Sequence, residues 1–158
     1  MRKPMAVNVK KRLFGIDGRE VTFARRGFLA TNPDAVRALE KVGASFVAGY
    51  HGGLSAKSSA ELERILDAVE PTHQGFAYEG AGMALALLDR LTPWNRTRLE
   101  KFLKGPGEPH TYMVIIGAGW AWARLGSPIG RLAQALDPLL GWLAYDGYGF
   151  HEGYFHAD

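Results

Sequence analysis

Apolar residues recur at helical spacing along most of this chain, and the interruptions mark where helices start and stop. Asn32-Pro33-Asp34 combines a capping side chain with Pro at a first turn, so a helix is predicted to begin there. Leu39, Val42, Phe46 and Tyr50 then form one stripe at spacings of three and four. The cluster Gly49 to Gly53 is expected to end that helix, because glycine tolerates positive φ and weakens helix interiors. Ser58 with Glu61 makes a capping box for a short helix whose inner face is Leu62, Ile65, Leu66 and Val69, with Pro71 as its stop.

Two segments are apolar nearly all round, which places them inside the fold. Phe76 to Leu91 carries small residues at Ala77, Gly80, Ala81, Gly82, Ala84 and Ala86. His110 to Leu125 has no polar side, although its β-branched run Val114 to Ile116 leaves a buried strand as the alternative. At 1.5 Å per residue that segment spans about 24 Å, short of the about 30 Å hydrocarbon layer, so a core helix is expected rather than a membrane span. Between these two, Thr92-Pro93 is predicted to start a helix with Leu99, Phe102 and Leu103 inward, ended by Gly105-Pro106-Gly107. Ser127-Pro128 opens the last helical region, which Pro138 breaks and Asp137 caps again. Ahead of all this, Val7-Asn8-Val9 and Glu20 to Phe23 alternate as strands do, with Asp17-Gly18 as a turn. The expected fold is all-α: a bundle of about six helices (residues 32–158) preceded by an extended or hairpin arm (residues 1–31).

Charge and composition change this picture modestly. The arm is basic: residues 1–28 hold eight Lys/Arg and two acids, whereas the remainder is net acidic. It lacks the interleaved aromatics of a base-stacking platform, so a solvated terminus is expected and no nucleic-acid partner. There is no cysteine, which removes disulfides and thiolate chemistry and suits a reducing compartment. No apolar run follows Met1-Arg2-Lys3, so no signal peptide and no membrane partner are expected, and the chain reads as cytoplasmic. Walker, dinucleotide-binding and nucleophile-elbow patterns are absent, and no cofactor is expected.

The densest chemistry lies at Asp146 to His156, where eleven residues hold three glycines, four aromatics, two histidines and two carboxylates. Asp146, His151 and Glu152 are candidates for acid–base work in an aromatic-walled turn, since burial among aromatics raises a carboxyl pKa. The bland alternative is a capping Asp146, a backbone-bonded His151 and a solvated Glu152. A zinc site is not expected: a zinc-protease pair is four apart, about 40° round a helix, while His151 and His156 would stand about 140° apart. The glycines also argue against helix here, which makes a turn the expected conformation. An earlier phrase, Gly49-Tyr50-His51-Gly52-Gly53, matches Gly149-Phe150-His151-Glu152-Gly153 as Gly-aromatic-His-x-Gly, so His51 is a further candidate. Glu79 stands out on an apolar helix, either as a first-turn carboxylate favoured by the helix dipole or as a buried acid paired with Arg124.

Phe76-Ala-Tyr-Glu-Gly-Ala-Gly-Met-Ala, Tyr112-Met-Val-Ile-Ile-Gly-Ala-Gly-Trp-Ala, Leu136-Asp-Pro-Leu-Leu and Asp146-Gly-Tyr-Gly-Phe-His-Glu-Gly-Tyr-Phe together resemble a bacterial domain-of-unknown-function family found in enediyne polyketide biosynthesis clusters. The resemblance runs from Arg25 to His156 and covers the N-terminal portion of longer family proteins. It implies a role in maturing a linear polyene into a cyclic core. Catalysis would then rest on Asp146, His151, Glu152, Glu79 and His51, and ligand binding on Tyr50, Trp120, Tyr148, Phe150 and Tyr154. The expected partners are an apolar intermediate and either a polyketide synthase or a second subunit. A non-catalytic carrier of an apolar ligand, or a synthase-docking module, is the competing expectation.

Overall fold

A computed structural model describes residues 5–156, with side-chain surroundings from Val9 onward. Nine α-helices occur among the described residues: α1 (Met5–Phe14), α2 (Phe23–Arg26), α3 (Pro33–Ser55), α4 (Ser59–Asp67), α5 (Gln74–Leu91), α6 (Arg98–Leu103), α7 (Thr111–Arg124), α8 (Gly130–Ala135) and α9 (Leu143–Phe155). The all-α expectation holds, with more helices than the about six expected. The strand alternative for Val114 to Ile116 fails, since these residues lie within α7. The hairpin arm is corrected: α1, a 3₁₀ turn at Gly18–Val21 and α2 occupy it. Met1-Arg2-Lys3, at the start of the basic arm, lie outside the described residues.

The architecture is a row in which α3 packs on α5, α5 on α7, and α7 on α9. Glycine makes each of these seams. A Cβ on Gly49 would overlap the Ala77 carbonyl, and one on Gly80 the Phe46 carbonyl, where α3 meets α5. Gly82 and Gly117 stand in the same relation to Val114 and Glu79 at the α5–α7 seam. Gly119 and Gly147 do so toward Ala144 and Ile116 at the α7–α9 seam. Each crossing therefore takes at least one glycine from each helix, and the backbones approach more closely than any side chain allows. In the Gly-Ala-Gly of α5 and of α7, the first glycine faces one neighbour and the next faces the other.

This corrects two expectations. α3 runs through Gly49 to Gly53 and ends at Ser55, and α9 is helical across Gly147, Gly149 and Gly153. A glycine costs roughly 1 kcal/mol of helix propensity, while burying one large side chain at the close seam it permits returns roughly 1.5–3 kcal/mol. Tyr50, Leu54, Met83, Leu87, Val114 and Ile115 are fully or almost fully buried alongside these seams.

Smaller elements follow their caps. Asn32 accepts from Asp34 and Ala35 N–H, and Ser58 from Glu61 N–H, as expected. Thr92, by contrast, ends α5 rather than starting a helix. Buried Asp89 instead holds the start of α6, accepting from the N–H groups of Arg98 and Leu99 and from the Arg98 guanidinium at 3.1 Å. Asp137 accepts from Leu139 and Leu140 N–H and so restarts the chain toward α9. No helix among the described residues is long and apolar enough to cross a membrane.

Candidate functional site

One face of the helix row, together with the N-terminal arm, encloses a cavity of about 450 Å³. Its floor is built by residues that the seams aim the same way: Phe46 from α3, Phe76 and Glu79 from α5, Ile116 and Trp120 from α7, and Asp146, Phe150 and Tyr154 from α9. The arm supplies the opposite wall through Ile16, Val21, Phe23 and Phe28. Three contacts fasten that wall. Tyr154 Oη donates to the Glu20 carbonyl at 3.2 Å, and Phe23 N–H donates to Glu40 Oε1 at 2.9 Å. The Arg26 guanidinium, ion-paired with Glu20, lies over the rings of Tyr154 and Phe155 at 5.2 and 4.7 Å. The described part of the arm is thus a component of the cavity, and its Arg26 is spent on aromatic faces rather than on solvent.

Glu79 and Asp146 are the two carboxyl groups in an otherwise apolar lining. Glu79 is 8% exposed, and burial pushes its carboxyl up to about 7. The nearby Trp120 indole N–H works against that rise, and the Asp146 carboxylate adds to it. Trp120 Nε1 faces Glu79 without completing a hydrogen bond, and among the described residues it is a buried donor with no hydrogen-bond partner. A protonatable acid and an unpaired donor therefore sit side by side in an apolar chamber. The two alternatives drawn from the sequence for Glu79 are both corrected. It is not held by the helix dipole, because burial dominates, and Arg124 is engaged elsewhere.

That engagement explains the first Gly-aromatic-His phrase. Tyr50 is completely buried, donates from Oη to the Phe14 carbonyl at 2.7 Å, and accepts from Arg124 Nη1 at 3.1 Å. His51 Nε2 accepts from the Ile16 N–H at 3.2 Å, and burial holds its pKa below the usual range. Both residues clamp the end of α1 against α3. Neither is among the residues lining the cavity.

The predicted cluster on α9 is divided. Asp146 reaches the cavity with Phe150 and Tyr154, whereas His151 and Glu152 pair with each other, Nδ1 to Oε1, at 3.2 Å. His151 is buried edge-on to Trp120 and its pKa is lowered by that burial. Because α9 turns through successive 100° steps, Asp146 lies 140° round the helix from His151, and the three do not form one acid–base unit. Tyr148 does not reach the cavity lining either. Of the ten predicted residues, Glu79, Asp146, Trp120, Phe150 and Tyr154 line the cavity. Phe46, Phe76 and Ile116 were not singled out from the sequence, since their pattern is that of ordinary core stripes.

The histidine spacing also needs correcting. α9 stops at Phe155, so His156 leaves the helical path and its ring comes to 5.8 Å from that of His151. His151, Glu152 and His156 offer ligand atoms that all lie within 4.8 Å of one another. Two imidazoles and a carboxylate are a donor set that suits zinc, which the angular argument for a continuous helix had set aside.

A family described as a protein of unknown function, DUF1702, has a sequence profile that matches residues 5–158. The chain belongs to that family. Neither a curated protein nor a solved structure matches it. The match spans every residue of the DUF1702 cavity and every glycine of the seams.

Proposed function

We propose that this DUF1702 protein holds an elongated apolar molecule in the cavity and that Glu79, as a neutral carboxylic acid, exchanges a proton with it. The carrying observation is the Glu79 carboxyl, buried beside Trp120 in a chamber whose lining, apart from Asp146, is almost wholly aromatic and aliphatic. A volume of about 450 Å³ falls in the range of small-molecule sites. An acid whose pKa stands near neutrality gives up and regains a proton with little driving force lost in either direction. Asp146 supports the neutral form of Glu79 by its charge, and Trp120 Nε1–H is free to donate to a polar end of the ligand. The resemblance to proteins of enediyne gene sets makes a conjugated polyene the ligand class to test, with proton transfer assisting its cyclisation. In such a molecule, protonation at one carbon and loss of a proton at another moves the double bonds without an outside oxidant.

The experiment uses a fluorescent conjugated tetraene and deuterated water. Val42 of α3 also lines the cavity, so saturable binding at one site, abolished by Val42→Trp filling that space, supports the ligand assignment. Deuterium appearing in recovered tetraene, and lost with Glu79→Gln while binding persists, supports proton transfer. Binding without exchange favours the non-catalytic carrier, which the scarcity of polar lining groups also suits. Absence of binding removes both readings.

A further inference from the structure

The end of α9 carries donor chemistry that the cavity does not use. The helix stops at Phe155, and the His156 N–H donates to the Glu152 carbonyl at 2.8 Å. That capping bond fixes the backbone of His156 one residue past the helix, with its ring 5.8 Å from that of His151. His151 is held firmly: it is buried, edge-on to Trp120 at 5.6 Å and packed on Phe155 at 5.0 Å. Its Nδ1 stands 3.2 Å from Glu152 Oε1. Zinc bonds of about 2.0–2.2 Å in a tetrahedron set ligand atoms about 3.3 Å apart, so this pair already has the spacing of two ligands on one ion. A hydrogen bond would satisfy His151 and Glu152 by themselves. The second imidazole makes the group a ligand set, because the three residues offer donor atoms all within 4.8 Å of one another.

We propose that His151, Glu152 and His156 bind one zinc ion, which pins the end of α9. Two imidazole nitrogens and one carboxylate oxygen suit zinc, whereas calcium and magnesium take oxygen ligands. Three protein ligands leave a fourth position for water. Glu152 supplies negative charge to the ion, against the Arg124 guanidinium whose field also reaches His151. None of the three residues lines the cavity, so the ion does not touch what the cavity holds. Its effect is on the wall. Tyr154 and Phe155, which do line the cavity, lie between Glu152 and His156 in the chain. A bond from the ion to each end of that turn holds both aromatic rings in place.

Isothermal titration of the untagged full chain with zinc chloride tests this. One equivalent should bind, excess magnesium should not compete, and the thermal midpoint should rise with zinc concentration. His156→Ala is the decisive variant, because His156 is exposed and its loss leaves the packing of α9 intact. It should weaken binding by at least about 10- to 100-fold, the loss caused even by partners outside the coordination sphere. Glu152→Gln should act in the same direction, and His73→Ala, away from α9, should leave the affinity unchanged. Cobalt(II) in place of zinc should give the strong visible absorption of a four-coordinate centre, and His156→Ala should abolish it. Absence of saturable zinc binding by the folded parent chain would overturn the proposal. So would binding at full strength in both His156→Ala and Glu152→Gln.

Discussion

Gly49 to Gly53 and Gly149 to Gly153 read alike and do different work. The first phrase is engaged by its neighbours: α5 covers Gly49 and Gly53, α4 covers Gly52, Phe14 and Arg124 engage Tyr50 Oη, and Ile16 N–H engages His51. The second is half open. Its histidine is buried, its glycines face outward, and its aromatic residue, Phe150, lines the cavity. The lesson is that a short motif in a helix specifies which side chains share a face, while the neighbouring elements decide whether that face is core, cavity or surface.

Gly49→Ala is the most severe way to break the comparison. Its methyl would overlap the Ala77 carbonyl, backbone against backbone, and a cost of about 4 kcal/mol or more is expected. Thermal denaturation should show a collapse of the midpoint or no folded protein, while the equivalent Gly149→Ala folds normally.

Glu79→Gln comes next and acts on the cavity side. The Glu79 carboxyl titrates from 4.5 unfolded to about 7 folded. Below pH 4.5 both states hold the proton. As pH rises through the window to 7 the unfolded chain loses it first, so native stability falls, and above 7 the full cost remains. Glu79→Gln removes that cost. Urea unfolding should show the variant more stable than the parent at pH 8 by on the order of 2–3 kcal/mol, with the difference vanishing at pH 4.

Tyr50→Phe tests the closed phrase more gently. Losing the hydroxyl leaves the Phe14 carbonyl without that donor and should cost about 1–3 kcal/mol by the same unfolding assay. The smallest effect is Gly149→Ala, where better helix propensity should stabilise by about 0.5–1 kcal/mol. A loss there as large as that of Gly49→Ala would erase the distinction between the two phrases.

Much of the fold was legible from side-chain pattern alone. α5 and α7 stand out because they are apolar all round and rich in small residues, and Asn32, Ser58 and Asp137 cap where their chemistry says they should. The errors share a cause. Local propensity assigns glycine only a cost, which ends α3 too early and denies α9 its helix, whereas its value here is a tertiary contact that propensity does not contain. The same holds for the arm. Its alternation suggested strands, but Ile16, Val21 and Phe23 are spaced to reach a cavity wall, not a sheet. At the site, Glu79 and Asp146 were visible as acids in apolar surroundings. Their convergence on one cavity from α5 and α9 was not, because it depends on seams at Gly117 and Gly147. The cluster around His151 looked like one unit only while it was read as a turn. On a helix the 100° step sends Asp146 and His151 to different faces.

The central claim, that the Glu79 carboxyl sits in an apolar chamber and titrates near neutrality, is tested most directly by following it by infrared difference spectroscopy against Glu79→Gln. The account predicts a protonated-carboxyl band that disappears with a midpoint near 7. A midpoint near the ordinary glutamate value of 4.5 would contradict it and with it the proposed proton transfer.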